Sequence, residues 1–242
     1  MLRRIEPGSE PVDPLDLYLG DVREKDGRPW VLLNMVSSLD GGTAVSGKSS
    51  DLGDDDDAEL FKAIRAVPDV ILVGAATVTA EDYRPVSLDA ERRERRTSLG
   101  KAETPTLAIV SGRLNVDPES RVFGDPDHKP LLITSTDANP SKLVLLGDSA
   151  DVAVLPDLRA ETILGHLGAA NVVLIEGGPT LNGHFAAAGL IDEVNLSLSP
   201  MLLSGDSARI ARGPQVIPPQ AMTVDRVLLG DRLLFVRYLR DT

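Results

Sequence analysis

Val172-Val173-Leu174-Ile175-Glu176-Gly177-Gly178-Pro179-Thr180-Leu181 decides how the chain is read. An apolar run ends in a carboxylate, two glycines follow, and Pro and Thr lead into a helix-like stretch. That order describes a buried strand that stops, turns tightly and starts a helix. Glycine lets a ligand approach the backbone, and proline suits the first helical turn. The free N–H groups of a helix start attract phosphate. The segment predicts a site for a phosphate-bearing ligand with an acidic side chain beside it.

Two other strand ends carry similar punctuation. Trp30 to Ser37 reads as a buried strand closed by Ser38-Leu39-Asp40-Gly41-Gly42. Val70 to Gly74 reads as a second, followed by a small-residue turn, Ala75-Ala76-Thr77-Val78. Further strands are expected at Thr106 to Val110, Leu131 to Thr134, Val152 to Leu155 and Val172 to Ile175. Helices are expected at Asp54 to Ala66, around Leu158 to Leu167, and at Thr180 to Ala188. In the first of these, Leu60, Phe61, Ile64 and Val67 fall at helical spacing. Its opening run Asp54-Asp55-Asp56-Asp57 suits the helix dipole and reads as a solvated helix start rather than a metal site. Ser87 to Glu103 is highly charged and reads as an exposed excursion, and residues 1–28 as an irregular arm.

The pattern then changes. Glu193 to Leu198 alternates with period two, and Met222 to Leu229 and Arg232 to Leu239 flank a Gly230-Asp231 hairpin turn. Strands that alternate with helices and end antiparallel predict a single α/β domain over residues 29–242. Its sheet is mostly parallel and flanked by helices, with antiparallel C-terminal strands. Ligands of such sheets bind at the carboxyl ends of the strands, where all three turns lie.

Composition narrows the chemistry. The 242 residues are 42% hydrophobic, enough for a substantial core. A net charge of -12 repels nucleic acid and anionic lipid, so an anionic ligand must be held by local donors. There is no cysteine, which excludes disulfides, zinc-thiolate sites and cysteine nucleophiles. His128, His166 and His184 match no metal spacing, and no metal is expected. P-loop, G-x-G-x-x-G and G-x-S-x-G patterns are all missing. No signal-like or membrane-spanning apolar run is seen, so a cytoplasmic setting is expected.

The motifs Asn34-x-x-x-Ser38-Leu39-Asp40-Gly41, Gly74-Ala75-Ala76-Thr77-Val78-x-x-Glu81-Asp82-Tyr83-Arg84-Pro85 and Glu176-Gly177-Gly178-Pro179-Thr180-Leu181 occur in this order. Together they resemble the pyrimidine reductase family of riboflavin biosynthesis, the reductase part of bifunctional deaminase–reductases, over roughly residues 29–240. The resemblance implies a dihydrofolate-reductase-like fold and NADPH as hydride donor. It implies reduction of the ribosyl group of a 5-amino-6-(5-phosphoribosylamino)uracil-type pyrimidine to ribityl. A deaminase needs a P-C-x-x-C zinc site, so any deaminase is expected to be another protein.

By position, the resemblance places Gly177, Gly178, Pro179, Thr180 and Leu181 around the cofactor pyrophosphate, with Val36, Thr77, Glu81 and Ser111 also on the cofactor. It places Asn34, Ser49, Arg65 and Glu176 on the substrate, Arg65 as a phosphate fork and Glu176 as an acceptor for pyrimidine N–H groups. Arg113 is a candidate for a 2′-phosphate. No proton donor is assigned. A homodimer is implied, with the C-terminal strands as candidates for its interface. The alternatives are dihydrofolate or dihydropterin reduction on the same fold, or an NADP-binding paralogue without catalysis.

Overall fold

The computed structural model of the chain describes residues 10–24 and 27–241. Nine strands form one sheet in the order β5-β4-β3-β2-β6-β1-β7-β9-β8. They are β1 (Trp30–Ser38), β2 (Val70–Gly74), β3 (Thr106–Val110), β4 (Leu131–Ser135), β5 (Asp151–Leu155), β6 (Val172–Ile175), β7 (Glu193–Ser199), β8 (Met222–Leu229) and β9 (Leu234–Arg240). From β5 to β7 every pairing is parallel, and β7, β9 and β8 are antiparallel. The helices are α1 (Pro14–Leu19), α2 (Asp55–Arg65), α3 (Ala75–Ala80), α4 (Ala90–Ser98), α5 (Pro140–Leu146), α6 (Ala160–His166) and α7 (Pro179–Ala187).

The unbroken apolar runs of β2 and β6 follow from their central position, because helices cover both faces of the sheet. Leu32, Ile71 and Leu174 pack on one face with Leu60 and Ile64 of α2. Val31, Leu72 and Val173 pack on the other with Ile163 of α6 and Phe185 of α7. Asp69 fixes β6 beside β2, its Oδ2 accepting from the amides of Asn171 (2.8 Å) and Val172 (2.9 Å). The ends of β2, β6 and β1 therefore open side by side.

Three expectations are corrected, and one helix is added. The arm is not irregular throughout: residues 1–9 lie outside the described residues, but α1 folds within it, capped by Asp13 and burying Leu15 and Tyr18. The small-residue stretch after β2 is the helix α3 rather than a turn. The charged segment is not an exposed excursion but contains α4, whose Arg92 and Arg96 are buried. Arg96 donates to the carbonyls of Ala66 (2.8 Å), Pro68 (2.6 Å) and Ala102 (2.8 Å), satisfying the end of α2. Arg92 pairs with Asp89 and with Glu59 of α2. The helix α5 had no counterpart in the sequence reading; Asn139 caps it and Pro140 opens it.

A buried ion network holds the antiparallel end of the sheet. Glu193 of β7 takes Arg23 from the arm (2.8 and 2.9 Å) and Arg237 from β9 (2.9 and 3.0 Å). Burial alone would raise its pKa, but the two guanidinium groups outweigh this and hold it at about 2, against an ordinary 4.5. A depressed carboxylate contributes stability above its unfolded pKa, and that stability is lost as pH falls toward the folded value. Glu193→Gln should therefore destabilise the fold by about 3 kcal/mol at neutral pH, since it leaves two buried cations with a neutral partner. Urea unfolding should also show a flatter pH dependence for the variant between pH 4.5 and 2 than for the wild type; parallel curves would contradict this account.

Candidate functional site

A cavity of about 1430 Å³ opens where β1, β2 and β6 end. Single-ligand pockets are usually ~300–1,000 Å³, so this one has room for two ligands side by side. All of the residues expected at cofactor and substrate border it. Asn34 and Val36 reach it from β1, Arg65 from α2, and Thr77 and Glu81 from α3 and its end. Ser111 lies just past β3, Ser49 lies in the loop after β1, and Glu176 to Leu181 join β6 to α7. Arg113 also borders it and is exposed.

The cofactor-side geometry comes from two turns tied together. The Gly74 amide donates to the Gly177 carbonyl (2.8 Å). Gly177 sits at φ +104°, where an L side chain is strained. A Cβ on Gly178 would lie 2.7 Å from Thr77 Oγ1, so only glycine lets these turns meet. Helix α7 starts at Pro179 with no side-chain cap, leaving its early amides facing the cavity without a side-chain partner. Uncapped amides at a helix start form a cradle of the kind that binds phosphate groups.

The side expected to face the substrate is organised around Glu176. Its carboxylate is buried at the end of β6 and accepts from Arg65 Nε (2.7 Å) and Nη2 (2.6 Å) and from the Tyr83 hydroxyl (2.7 Å). The fork of Arg65 is thus directed at a carboxylate of the protein, where the sequence suggested a ligand phosphate. Its guanidinium also lies 4.3 Å from the Phe61 ring centroid. Burial and the neighbouring Glu176 charge push the Tyr83 hydroxyl well above its ordinary pKa, so Tyr83 stays a donor. Tyr83 entered the sequence reading only as part of a motif; its role becomes visible once the fold places it on Glu176.

Two other acids are anchored. Glu81 Oε1 accepts from the Ser49 amide (2.9 Å), joining an expected cofactor residue to an expected substrate residue. Asp40 lies off the cavity lining and fastens the loop after β7, accepting from the amides of Leu203 (3.2 Å) and Ser204 (2.6 Å). The Ser38 hydroxyl (2.6 Å) and these amides hold its pKa at about 2.

The opening acidic run of α2 divides its work. Asp54 caps the helix, accepting from the Asp57 amide (3.0 Å), and Asp56 receives the Asp231 amide of the β8–β9 hairpin (2.8 Å). Asp57 turns its carboxyl toward the cavity beside Ser197 of β7. The run is therefore not simply a solvated helix start. No signal in the sequence separates these four neighbours; only their phase on the helix does. Among the described residues, no group of three or more His, Cys, Asp or Glu side chains is placed to hold a metal.

A sequence model described as the RibD C-terminal domain matches residues 29–229. The chain belongs to the RibD C-terminal domain family. Its place is among the reductases of riboflavin biosynthesis. A relative from Archaeoglobus fulgidus, 2,5-diamino-6-ribosylamino-4(3H)-pyrimidinone 5′-phosphate reductase, is 32% identical over 77% of this chain and 87% of its own length. A pyrimidine reductase-like protein of Corynebacterium diphtheriae superposes with a TM-score of 0.82 at 25% identity, over 96% of this chain and all of that one. Dihydrofolate reductase of Enterococcus faecalis, complexed with NADP(H), shares the fold at a TM-score of 0.51 and 13% identity, over 88% of this chain and 97% of that one. Within the RibD family fold, the two tied turns border the cavity of about 1430 Å³.

A branched side chain at position 178 would drive into Thr77 and fill the cradle. Gly178→Val is expected to weaken NADPH binding by at least about tenfold, ~1.4 kcal/mol. Fluorescence titration measures this directly, and an unchanged dissociation constant would remove the cradle from the site.

Proposed function

We propose that this chain is an NADPH-dependent reductase that converts the ribosyl group of a phosphorylated 6-ribosylaminopyrimidine to ribityl. The observation that carries the reading is the single cavity bordered on one side by the Gly177-Gly178 amide cradle and on the other by the Arg65–Glu176–Tyr83 clamp. The cradle has the shape and the free donors that a diphosphate needs. When bound, the dihydronicotinamide supplies a hydride. The protein's part is to hold both ligands at the strand ends in register with one another.

In this reading the uncapped start of α7 holds the diphosphate, with Thr77 and Glu81 along the dinucleotide and Ser111 and Arg113 toward its adenosine end. Asn34, Ser49 and the clamp face the pyrimidine nucleotide. The name of the Archaeoglobus relative favours a 2-amino ring, which would be reduced before deamination. A cytoplasmic setting, where NADPH is maintained, belongs to the same reading.

The test is loss of nicotinamide absorbance when protein and NADPH meet the diaminopyrimidinone ribosyl phosphate, the aminouracil ribosyl phosphate or dihydrofolate in parallel. Turnover is expected with a ribosyl phosphate and at most trace activity with dihydrofolate. Tight NADPH binding without turnover of either ribosyl phosphate would defeat the substrate assignment. Glu176→Ala frees Arg65 and Tyr83 and is expected to raise the substrate KM about tenfold or more, given the worth of charged hydrogen bonds, with the NADPH dissociation constant little changed. Equal loss of both would mean that the clamp serves the fold rather than the substrate.

We also infer a homodimer through the antiparallel end of the sheet. On β7 the polar residues Glu193, Asn195, Ser197 and Ser199 are buried, whereas Val194, Leu196 and Leu198 are half-exposed. Register aligns Leu198 with Leu234 and Leu229, and Val194 with Tyr238 and Val224. Val224, Leu229 and Leu234 are exposed, so a mostly apolar stripe crosses three strands on one face. Light scattering should give twice the chain mass, and Val224→Lys with Leu229→Lys should give a monomer.

A further inference from the structure

We propose that Asp57 is the catalytic acid of the reaction, giving its proton to the ring oxygen O4′ of the ribosyl group as the C1′–O4′ bond breaks. The assignment rests on the substrate reading above. The reaction needs such a donor. The bond's electron pair leaves with O4′, which takes the Asp57 proton and becomes the 4′-hydroxyl. The amino nitrogen's lone pair holds C1′ as an iminium, and a hydride from a dihydronicotinamide then gives the C1′ methylene and a neutral amine. One proton and one hydride are consumed, the nicotinamide is oxidised, and solvent returns a proton to Asp57.

The acids and donors of the cleft can be compared one by one. Glu176 is already engaged on both oxygens, by two bonds from Arg65 and one from Tyr83. Tyr83 already spends its proton on Glu176, and burial makes its hydroxyl a weaker acid still. Glu81 accepts the Ser49 amide as an acceptor would, and Asp82 pairs with Arg121 at the exposed rim. Asp55 and His184 are exposed. Asp57 differs from all of them.

Asp57 sits in the first turn of α2, half-buried at the cavity wall. Its carboxyl presses against Gly53: a Cβ there would lie 2.5 Å from Asp57 Oδ2, so the chain leaves this space for the carboxyl. The groups acting on it are few. Burial raises its pKa most, the Ser197 hydroxyl from β7 lowers it, and the Asp54 charge from its own helix start raises it again. Gly53 brings no charge, and the β8–β9 hairpin engages Asp56 instead. Asp54 Oδ2 is buried without a partner, which strengthens the local bias against a second negative charge. A carboxyl whose surroundings favour its protonated form, on the wall of the cavity that would hold the substrate, is the kind of group a general acid needs.

The test is Asp57→Asn in the full chain. Turnover of the ribosyl phosphate is expected to fall about a hundredfold or more, the usual size of a general-acid contribution. Substrate and NADPH dissociation constants, measured separately by calorimetry, should stay within about threefold. In the cofactor-free protein, carbon NMR of labelled aspartate should show one carboxyl titrating above the ordinary range, and that signal should vanish in Asp57→Asn. Ser197→Ala gives a second readout that a structural role would not move. Removing the hydroxyl that favours the carboxylate should shift the alkaline limb of kcat upward in pH. Turnover of Asp57→Asn within threefold of wild type, or a raised KM at unchanged kcat, would overturn the assignment while leaving the reductase reading intact. Absence of wild-type turnover would overturn the substrate reading, and this assignment with it.

Discussion

Everything in the cleft is arranged around one buried charge. Glu176 ends a strand whose four residues are fully buried, so its carboxylate is presented where water cannot solvate it. An unpaired carboxylate there would be very costly. Arg65 from α2 and Tyr83 from the segment after α3 supply the compensating bonds. That requirement draws a helix from one face and a loop from the neighbouring crossover onto the same strand end. The cavity is the space left between these elements and the glycine turns.

The turn chemistry was legible because it is local. Gly177-Gly178-Pro179 announces a strand end, a close approach and a helix start within three residues, and the structure puts all three there. The parallel core strands were legible for the same reason, since β2 and β6 are unbroken apolar runs. The period-two alternation of β7 identified it as a strand but not which face is buried. In β7 the buried face is the polar one, because Glu193 is held by Arg23 and Arg237, residues far away in sequence.

What failed shares a cause. Ala75–Ala80 looks like a turn because small residues have no visible periodicity, yet tertiary packing of Ala75 and Val78 makes it a helix. Ala90–Ser98 looks like a solvated charge run because arginine is usually exposed. Arg96 is instead buried against three carbonyls at the end of α2, and that environment depresses its pKa through desolvation. Sequence gives charge and spacing; it does not say which carbonyls or carboxylates a guanidinium will meet. The same blindness covered Asp57, one of four consecutive aspartates that differ only in the direction each faces.

The acidic field of the whole molecule frames how an anionic ligand is held. At a net charge of -12 the protein repels phosphate at long range, so attraction must come from groups a few ångströms away. Arg65 does not serve freely, because its fork is turned to Glu176. In the proposed reading the diphosphate meets neutral donors instead, the uncapped start of α7 and the glycine backbone around it, with Arg113 left for the adenosine end. Such donors would bind a diphosphate through directed bonds and not through excess positive charge. They discriminate by shape, and a nucleotide that fits the turn is held where a bulkier or differently bent anion is not. A protein that must pick two particular anions from a crowded phosphate pool gains selectivity from that trade. Its acidic exterior then becomes part of the selection, since it keeps loosely fitting polyanions away.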